Sequence, residues 1–321
     1  MGCATRTHLC YAAAPVPVAA ALWMWYHTFQ MENDDLQREL HTHNRASWNA
    51  ATLAHNSHRG DQARFFREGG STLHPEEIDL LGEVKGRTLV HLLCNAGQDT
   101  LSIAAHLGAH VHGVDISDEA IAFARHLSQD AHIPATFERA DVYDWFAQAS
   151  SQHRQFDLVF SSYGVVHWLS DLTLWARGIS AVLKPGGRLV LVDFHPLERI
   201  FDRDFQVVAS YFPRERIDTL AQGVSDYLTR SPGKVTPFAY EPGVEHFENP
   251  HPAHLFRWTL GEVLTAIGGA GLRLKRLQEY PHSIAMRFRP MREIPGYRTM
   301  PLEGMPLVPL LYGLQAEKPE H

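Results

Sequence analysis

Two apolar runs end in residues suited to gripping a ligand. Thr88-Leu-Val-His-Leu92 runs into the glycine-containing turn Cys94-Asn-Ala-Gly-Gln98, and His110-Val-His-Gly-Val114 runs into Asp115. The amphipathic stretch Leu101-Ser-Ile-Ala-Ala-His-Leu107 joins them. Strand, tight turn, helix, then a strand closed by a carboxylate is how an open parallel sheet holds a nucleoside. Backbone groups of the turn face the ligand, and the carboxylate takes both ribose hydroxyls. Asp115 needs some partner for its charge. Capping the next helix falls better to its neighbour in Ser117-Asp-Glu-Ala120.

The elements that position these groups follow from the pattern along the chain. Strands are predicted at about 88–93, 110–114, 135–140, 157–162 and 188–194, the last entered through the turn Leu183-Lys-Pro-Gly-Gly187. Helices are predicted at about 101–107, 117–130 and 171–183, with less regular structure near 142–152. Right-handed crossovers put such strands in one parallel sheet with helices on both faces. Ahead of the sheet, 34–58 is helical in pattern, and Ser71-Thr-Leu-His-Pro-Glu-Glu77 starts another helix. After Pro196 the regularity lapses for about sixty residues rich in aromatics and prolines, an insertion long enough to serve as a lid. A helix over 256–267 and two strands, about 272–280 and 307–315, then close the chain as a hairpin.

The expected fold is therefore α/β, a Rossmann-like seven-stranded doubly wound sheet with a C-terminal antiparallel hairpin, N-terminal helices and an inserted cap. The expected divisions are an N-terminal extension (1–30), a helical cap (31–87), the nucleoside-binding core (88–196), the inserted cap (197–255) and the end of the core (256–321). Residues 1–30 carry a broken apolar run interrupted by Pro15 and Pro17, read as an over-extended start ahead of Met31, with a targeting segment as the alternative.

A net charge of -7 gives no basic field for nucleic acid. Three cysteines, Cys3, Cys10 and Cys94, suggest no disulfide framework. The 21 histidines include the close pairs His41/His43, His110/His112 and His251/His254, none in a metal-binding frame, so no metal is expected. The expectation is a cytoplasmic protein with a small-molecule partner, engaging neither nucleic acid nor membrane, with a homodimer left open.

The chain resembles the class I S-adenosylmethionine-dependent methyltransferases. Four elements carry the likeness: the loop after the first strand, Asp115, Phe156-Asp-Leu-Val-Phe-Ser-Ser-Tyr-Gly164, and Leu183-Lys-Pro-Gly-Gly-Arg-Leu-Val-Leu191. More narrowly, the segments His91 to Thr100, Ser162 to Leu169 and Phe194-His-Pro196 are similar to a largely uncharacterised bacterial and fungal branch of the type 11/12/25 group. The general family has an acid at the position of His91 and glycines at those of Leu93, Asn95 and Gly97, of which only Gly97 remains. Asn95 tolerates the left-handed backbone that the turn requires.

The resemblance implies S-adenosylmethionine as cofactor, held by Asn95, Gly97, Gln98, Asp115, Ile116, Asp141, Val142, Ser161, Ser162 and Tyr163. Asp115 would take the ribose hydroxyls, Gly97 would let the backbone pass the methionine part, Asp141 and Val142 would hold the adenine, and 161–163 would face the sulfonium. His91 is expected to be structural. Methyl transfer from a sulfonium is an in-line displacement, so the protein's main task is to hold an acceptor close, dry and aligned. A general base helps where the acceptor carries a proton. His167 and His195, just beyond the ends of strands, are the candidates, with Tyr163 and His74 weaker. Trp48, His74 and Trp168 are expected to shape the acceptor pocket. The competing functions are a cofactor-binding protein without transfer and a nicotinamide-dependent oxidoreductase. The latter would want a Gly-x-Gly-x-x-Gly turn that the first loop lacks.

Overall fold

The computed structural model describes residues 18–230 and 236–320, with side chains over 35–229 and 236–320. The chain divides into two units, Met1–Leu40 and His41–His321. In the first, residues 18–40 are helical and belong to α1 (Val18–Ser57). Residues 1–17, and with them most of the segment expected to be an over-extended start or a targeting sequence, lie outside the described residues.

The second unit continues with α2 (Gln62–Arg67), α3 (Pro75–Leu81) and β1 (Thr88–Leu92). Next come α4 (Gln98–Ser102), running into a π-helical turn over Ile103–Leu107, then β2 (His110–Asp115), α5 (Asp118–Ala131) and β3 (Thr136–Arg139). After them stand α6 (Val142–Ser151), β4 (Phe156–Ser162), α7 (Leu172–Val182) and β5 (Leu183–Phe194). A two-stranded ribbon of β6 (Ile217–Leu220) and β7 (Ala253–Phe256) follows, then α8 (Leu260–Gly269) and β8 (Arg273–Tyr280). The chain closes with β9 (Met291–Ile294), β10 (Arg298–Pro301) and β11 (Leu311–Glu317).

The central sheet has seven strands in the order β3-β2-β1-β4-β5-β11-β8, the first five parallel and β11 antiparallel to both its neighbours. Consecutive residues of each strand feed opposite faces. Val90, Leu92, Val159, Leu189 and Leu191 pack with Trp145, Trp175, Ile179, Val263 and Ile267 on one side. Leu89, Leu158, Phe160, Val190 and Val192 pack with Leu80, Leu81 and Ile103 on the other. Each such side chain contributes roughly 1.5–3 kcal/mol by leaving water. Burial on both faces explains why these strands read as unbroken apolar runs. The order reverses between β1 and β4, the crevice where open α/β sheets bind ligands.

Three expectations are corrected. Residues 142–151 are a regular helix, α6, because Val142, Trp145, Phe146 and Ala149 fall on one buried face and Asp141 caps its start by accepting from the Tyr143 N–H. The fifth strand begins earlier than 188: Leu183 already pairs with Phe156, and the Lys-Pro-Gly-Gly turn is a bulge inside β5. The last strand starts at Leu311, after Pro309, which has no N–H to offer a ladder. Its partner β8 is not joined to it by a tight turn, because the antiparallel pair β9 and β10 lies between them in the chain.

The segment after β5 opens with a 3₁₀ turn over Pro196–Ile200. Phe201 and Phe205 stack at 4.5 Å and, with Phe288, Met291 and Leu310, make a small satellite core. No helix among the described residues is long and apolar enough to cross a membrane.

Candidate functional site

A cavity of about 1550 Å³ opens at the carboxyl ends of β1 to β4. One end is walled by the loop after β1, where Leu93, Asn95 and Gly97 have φ of 55°, 48° and 80°. The left-handed conformation is thus kept at all three positions where the resembling family has glycine, although two carry side chains here. Asn95 supports its own turn by accepting the Ala96 N–H on Oδ1 at 2.7 Å. Leu93 has no such device and carries a strain of about 1–2 kcal/mol.

Gly97 does not line the cavity. A Cβ there would lie 2.7 Å from Ala124 and 2.8 Å from Phe137, so the residue lets α4 seat against α5 and β3. This packing role stands beside the expected one of letting the backbone pass the methionine part of the cofactor. Gly97→Ala is expected to lower the unfolding free energy by about 2–4 kcal/mol, from left-handed strain plus overpacking, measured by urea melts. An unchanged melt would contradict this packing account.

Asp115 binds the loop from the next strand. Its Oδ2 accepts the Asn95 N–H at 2.8 Å and its Oδ1 the Ser117 N–H at 2.9 Å, while Ser117 caps α5. Each oxygen keeps a lone pair toward the cavity. Burial pushes the Asp115 carboxyl up to about 6, against the pull of the backbone donors. Cys94, beside it, is a buried free thiol whose Sγ lies 3.7 Å from the Asn95 carbonyl. Burial, with the nearby Asp115 charge, raises this thiol well above its ordinary range.

Ile116, Asp141 and Val142 also line the cavity. Asp141 already has two partners, the Tyr143 N–H at 2.9 Å and the His41 Nδ1 at 2.7 Å. Burial works to raise its pKa, yet the hydrogen bond and charge of His41 hold it below the usual carboxylate value. The Gln98 side chain faces the cavity but its amide donates to Asn56 and Gln62 at 3.2 and 3.0 Å.

At β4 the two serines part company. Ser162 lines the cavity with its hydroxyl 3.4 Å from Asp99, whereas Ser161 turns into the sheet and donates to the Leu92 carbonyl at 3.2 Å. Ser161 is therefore structural. Tyr163 lines the cavity, and its buried hydroxyl has no hydrogen-bond partner among the described residues. His91 is buried against Phe160 and lines the cavity, with Nδ1 2.9 Å from Thr100 Oγ1 and Nε2 unpartnered among the described residues. Burial takes it down to about 3, so it is neutral.

Beyond β4, the buried carboxylate of Asp193 accepts the N–H groups of Gly164, Val166 (2.8 Å) and Phe194 (2.7 Å), fixing the turn that carries His167. His167 lines the cavity beside Trp168, with ring centres 5.1 Å apart. Burial, then the charges of Arg199 and Arg287, hold its pKa well below the ordinary value, so the ring is neutral and, with nothing to offset those charges, a weak proton acceptor. Trp48 meets Trp168 edge-on at 5.5 Å, and both line the cavity. His74 lines it too, edge-on to Tyr163, with Nδ1 3.1 Å from the Gly296 carbonyl.

His195 is not in this group. Pro196 turns the chain away, the imidazole Nδ1 accepts the Leu197 N–H at 3.1 Å, and Nε2 lies 3.0 Å from Glu279 on β8. The expectation of a second base is corrected: His195 caps a 3₁₀ turn. His195→Ala is expected to leave cofactor affinity within about twofold while costing about 1–2 kcal/mol of stability, by calorimetry and urea melts. A tenfold loss of affinity would restore it to the site.

The sequence reasoning missed several cavity residues. Asp99 accepts from Thr72 Oγ1 at 2.6 Å and faces the pocket. Arg59 also lines it, with its Nε buried and unpartnered among the described residues. Glu198, Arg199 and Arg287 line the far end. Nothing local in the sequence marked Arg59 or Arg287 for the cavity. No group of three or more metal-ligating side chains occurs among the described residues.

Comparison with known proteins agrees with this geometry. Residues 90–187 match the family model described as a methyltransferase domain. Phosphoethanolamine N-methyltransferase 2 of Caenorhabditis elegans is 29% identical over 131 residues, covering 40% of this chain and 28% of that protein. An O-methyltransferase of Penicillium expansum is 32% identical over 140 residues, covering 41% and 45%. The chain thus spans less than half the length of these curated relatives. A solved structure from Listeria monocytogenes, assigned to the S-adenosylmethionine-dependent methyltransferases, superposes with a TM-score of 0.51 at 16% identity, over 76% of this chain and 96% of that one. That likeness speaks to the fold. Residues 90–187 thus carry the match to a methyltransferase domain, and the fold around them is shared with the Listeria monocytogenes structure.

Proposed function

We propose that the chain transfers a methyl group from S-adenosylmethionine to an oxygen or nitrogen of a small-molecule acceptor. The observation that carries this reading is Asp115, an elevated carboxylate at the end of β2, tied to the β1 loop and open to the cavity. When bound, the cofactor supplies a methyl group on a positively charged sulfur. The residues present fit it. Asp115 accepts the two ribose hydroxyls, and the unpartnered Arg59 guanidinium nitrogen suits the amino-acid carboxylate near the β1 loop. Val142 and Ile116 offer apolar walls to the base, and Asp141 one more acceptor beside it. Ser162 and Tyr163, which line the cavity at the end of β4, would face the sulfonium.

The chain's own contribution to the reaction is placement and drying. Trp48 and Trp168 wall the acceptor space, and His167 lines it as a neutral imidazole that can accept a hydrogen bond from the acceptor's hydroxyl or amine. The relatives include proteins named as N- and O-methyltransferases, which supports either acceptor atom. A net charge of -7 supports a small acceptor in preference to nucleic acid. Calorimetry with S-adenosylhomocysteine, followed by cofactor turnover against a metabolite panel, tests the reading. Binding and release of the demethylated cofactor are expected. Preference for a nicotinamide dinucleotide would overturn it, and binding without any turnover would favour a protein that only holds the cofactor.

A further inference from the structure

Two of the arginines that line the cavity have no carboxylate at hydrogen-bond distance. Arg199 and Arg287 both line it, together with Glu198. They come from separate parts of the chain, Arg199 from the 3₁₀ turn after β5 and Arg287 from the segment between β8 and β9. Burial lowers the pKa of Arg199, with the charge of Arg287 acting in the same direction and those of Glu198, Asp218 and Asp193 opposing it. Other arginines of this region have settled partners. Arg289 grips both oxygens of Asp204, Arg216 both of Glu262, and Arg257 lies 3.5 Å from Asp218. Arg199 makes no hydrogen bond or ion pair within 4 Å among the described residues. Arg287 reaches Glu198 only at 3.7 Å, too long for a charge-assisted hydrogen bond, and Glu198 Oε2 is buried without a partner.

Arg199 is half-buried and Arg287 exposed at the cavity wall, and a guanidinium that no carboxylate engages at hydrogen-bond distance keeps its donors for a ligand. A planar fork of donors fits a carboxylate or phosphate. Resting on the methyl-transfer reading above, we propose that Arg199 and Arg287 form an oxyanion-binding subsite for the methyl acceptor, which therefore carries a phosphate or carboxylate group. His167 lines the same cavity and feels both charges, so an anion held by the two arginines would strengthen it as a proton acceptor. Glu198 is the competing internal anion, and burial raising it to about 7 leaves it partly neutral at working pH.

The test uses the full chain saturated with S-adenosylhomocysteine and titrated by calorimetry with inorganic phosphate, acetate and ethylammonium. One of the two anions is expected to bind, and the tighter of them identifies the oxyanion class. Arg199→Gln and Arg287→Gln are each expected to weaken that anion at least tenfold. Glu198→Gln is expected to tighten it about threefold at pH 8, a change of sign that misfolding cannot mimic. Affinity for S-adenosylhomocysteine should stay within about twofold in all three variants. Cofactor binding with no response to either anion, anion binding indifferent to Arg199→Gln, or a preference for ethylammonium overturns the subsite. Failure to bind S-adenosylhomocysteine at all overturns the underlying reading and this one with it.

Discussion

Asp115→Ala is expected to weaken S-adenosylhomocysteine binding by about 10- to 150-fold. Hydrogen bonds to a charged group are worth roughly 1.5–3 kcal/mol, and each 1.4 kcal/mol is tenfold in affinity. The alanine removes the acceptor for the ribose hydroxyls and also frees the Asn95 N–H that it holds at 2.8 Å, so the loop loses its anchor. The pH dependence has a definite sign. Burial lifts the Asp115 carboxyl to about 6. Its preference for the neutral form stabilises the fold fully below the unfolded value near 4, and this stabilisation is lost as pH rises through about 6. Nucleoside binding needs the opposite, ionised state. Affinity is thus expected to be flat above pH 7 and to fall below pH 6, by up to about tenfold per unit. Calorimetry at pH 5, 6 and 8 on the wild type and on Asp115→Asn measures both effects, the variant losing the slope. Equal affinity in wild type and Asp115→Ala would remove the foundation of the proposed function.

Asp193→Ala is expected to lower the unfolding free energy by about 3–5 kcal/mol, the range for stripping a buried charged group from its partners. Its carboxylate is the shared acceptor of the Gly164, Val166 and Phe194 N–H groups. Alanine leaves those donors buried and unsatisfied. Asp193→Asn keeps one acceptor oxygen and should fall between the two. Because these donors define the turn bearing His167, turnover should fall further than cofactor affinity in whatever fraction remains folded. Urea melts of the three proteins give the order directly, and a loss below about 1 kcal/mol in the alanine variant would contradict it.

The sheet was legible because its central strands are buried on both faces and so read as continuous apolar runs. Helix α6 was not: its Tyr143, Trp145 and Phe146 favour strands by local preference, and only packing against α7 and the sheet decides for a helix. The last strand slipped because the apolar stretch before Pro309 resembles a ladder that proline cannot make. At the site, Asp115 and the β1 loop could be read from order alone. Ser161 and Ser162 could not be separated without knowing which parity of β4 faces the pocket. His195 obeyed the strand-end rule but stands beyond a proline that redirects the chain. Arg59, Asp193, Arg199 and Arg287 were invisible as a set, since no local spacing brings residues so far apart in the chain to one cavity.

Cys94 gives the β1 loop a built-in clock. Its thiol is buried on the wall of the cavity beside Asn95 and kept protonated, so an alkylating reagent reaches it slowly and through the ligand's own space. In a chain carrying Cys3→Ser and Cys10→Ser, the rate of thiol modification would report how often that space is open, and a ligand seated against Asp115 should slow that rate in proportion to its occupancy.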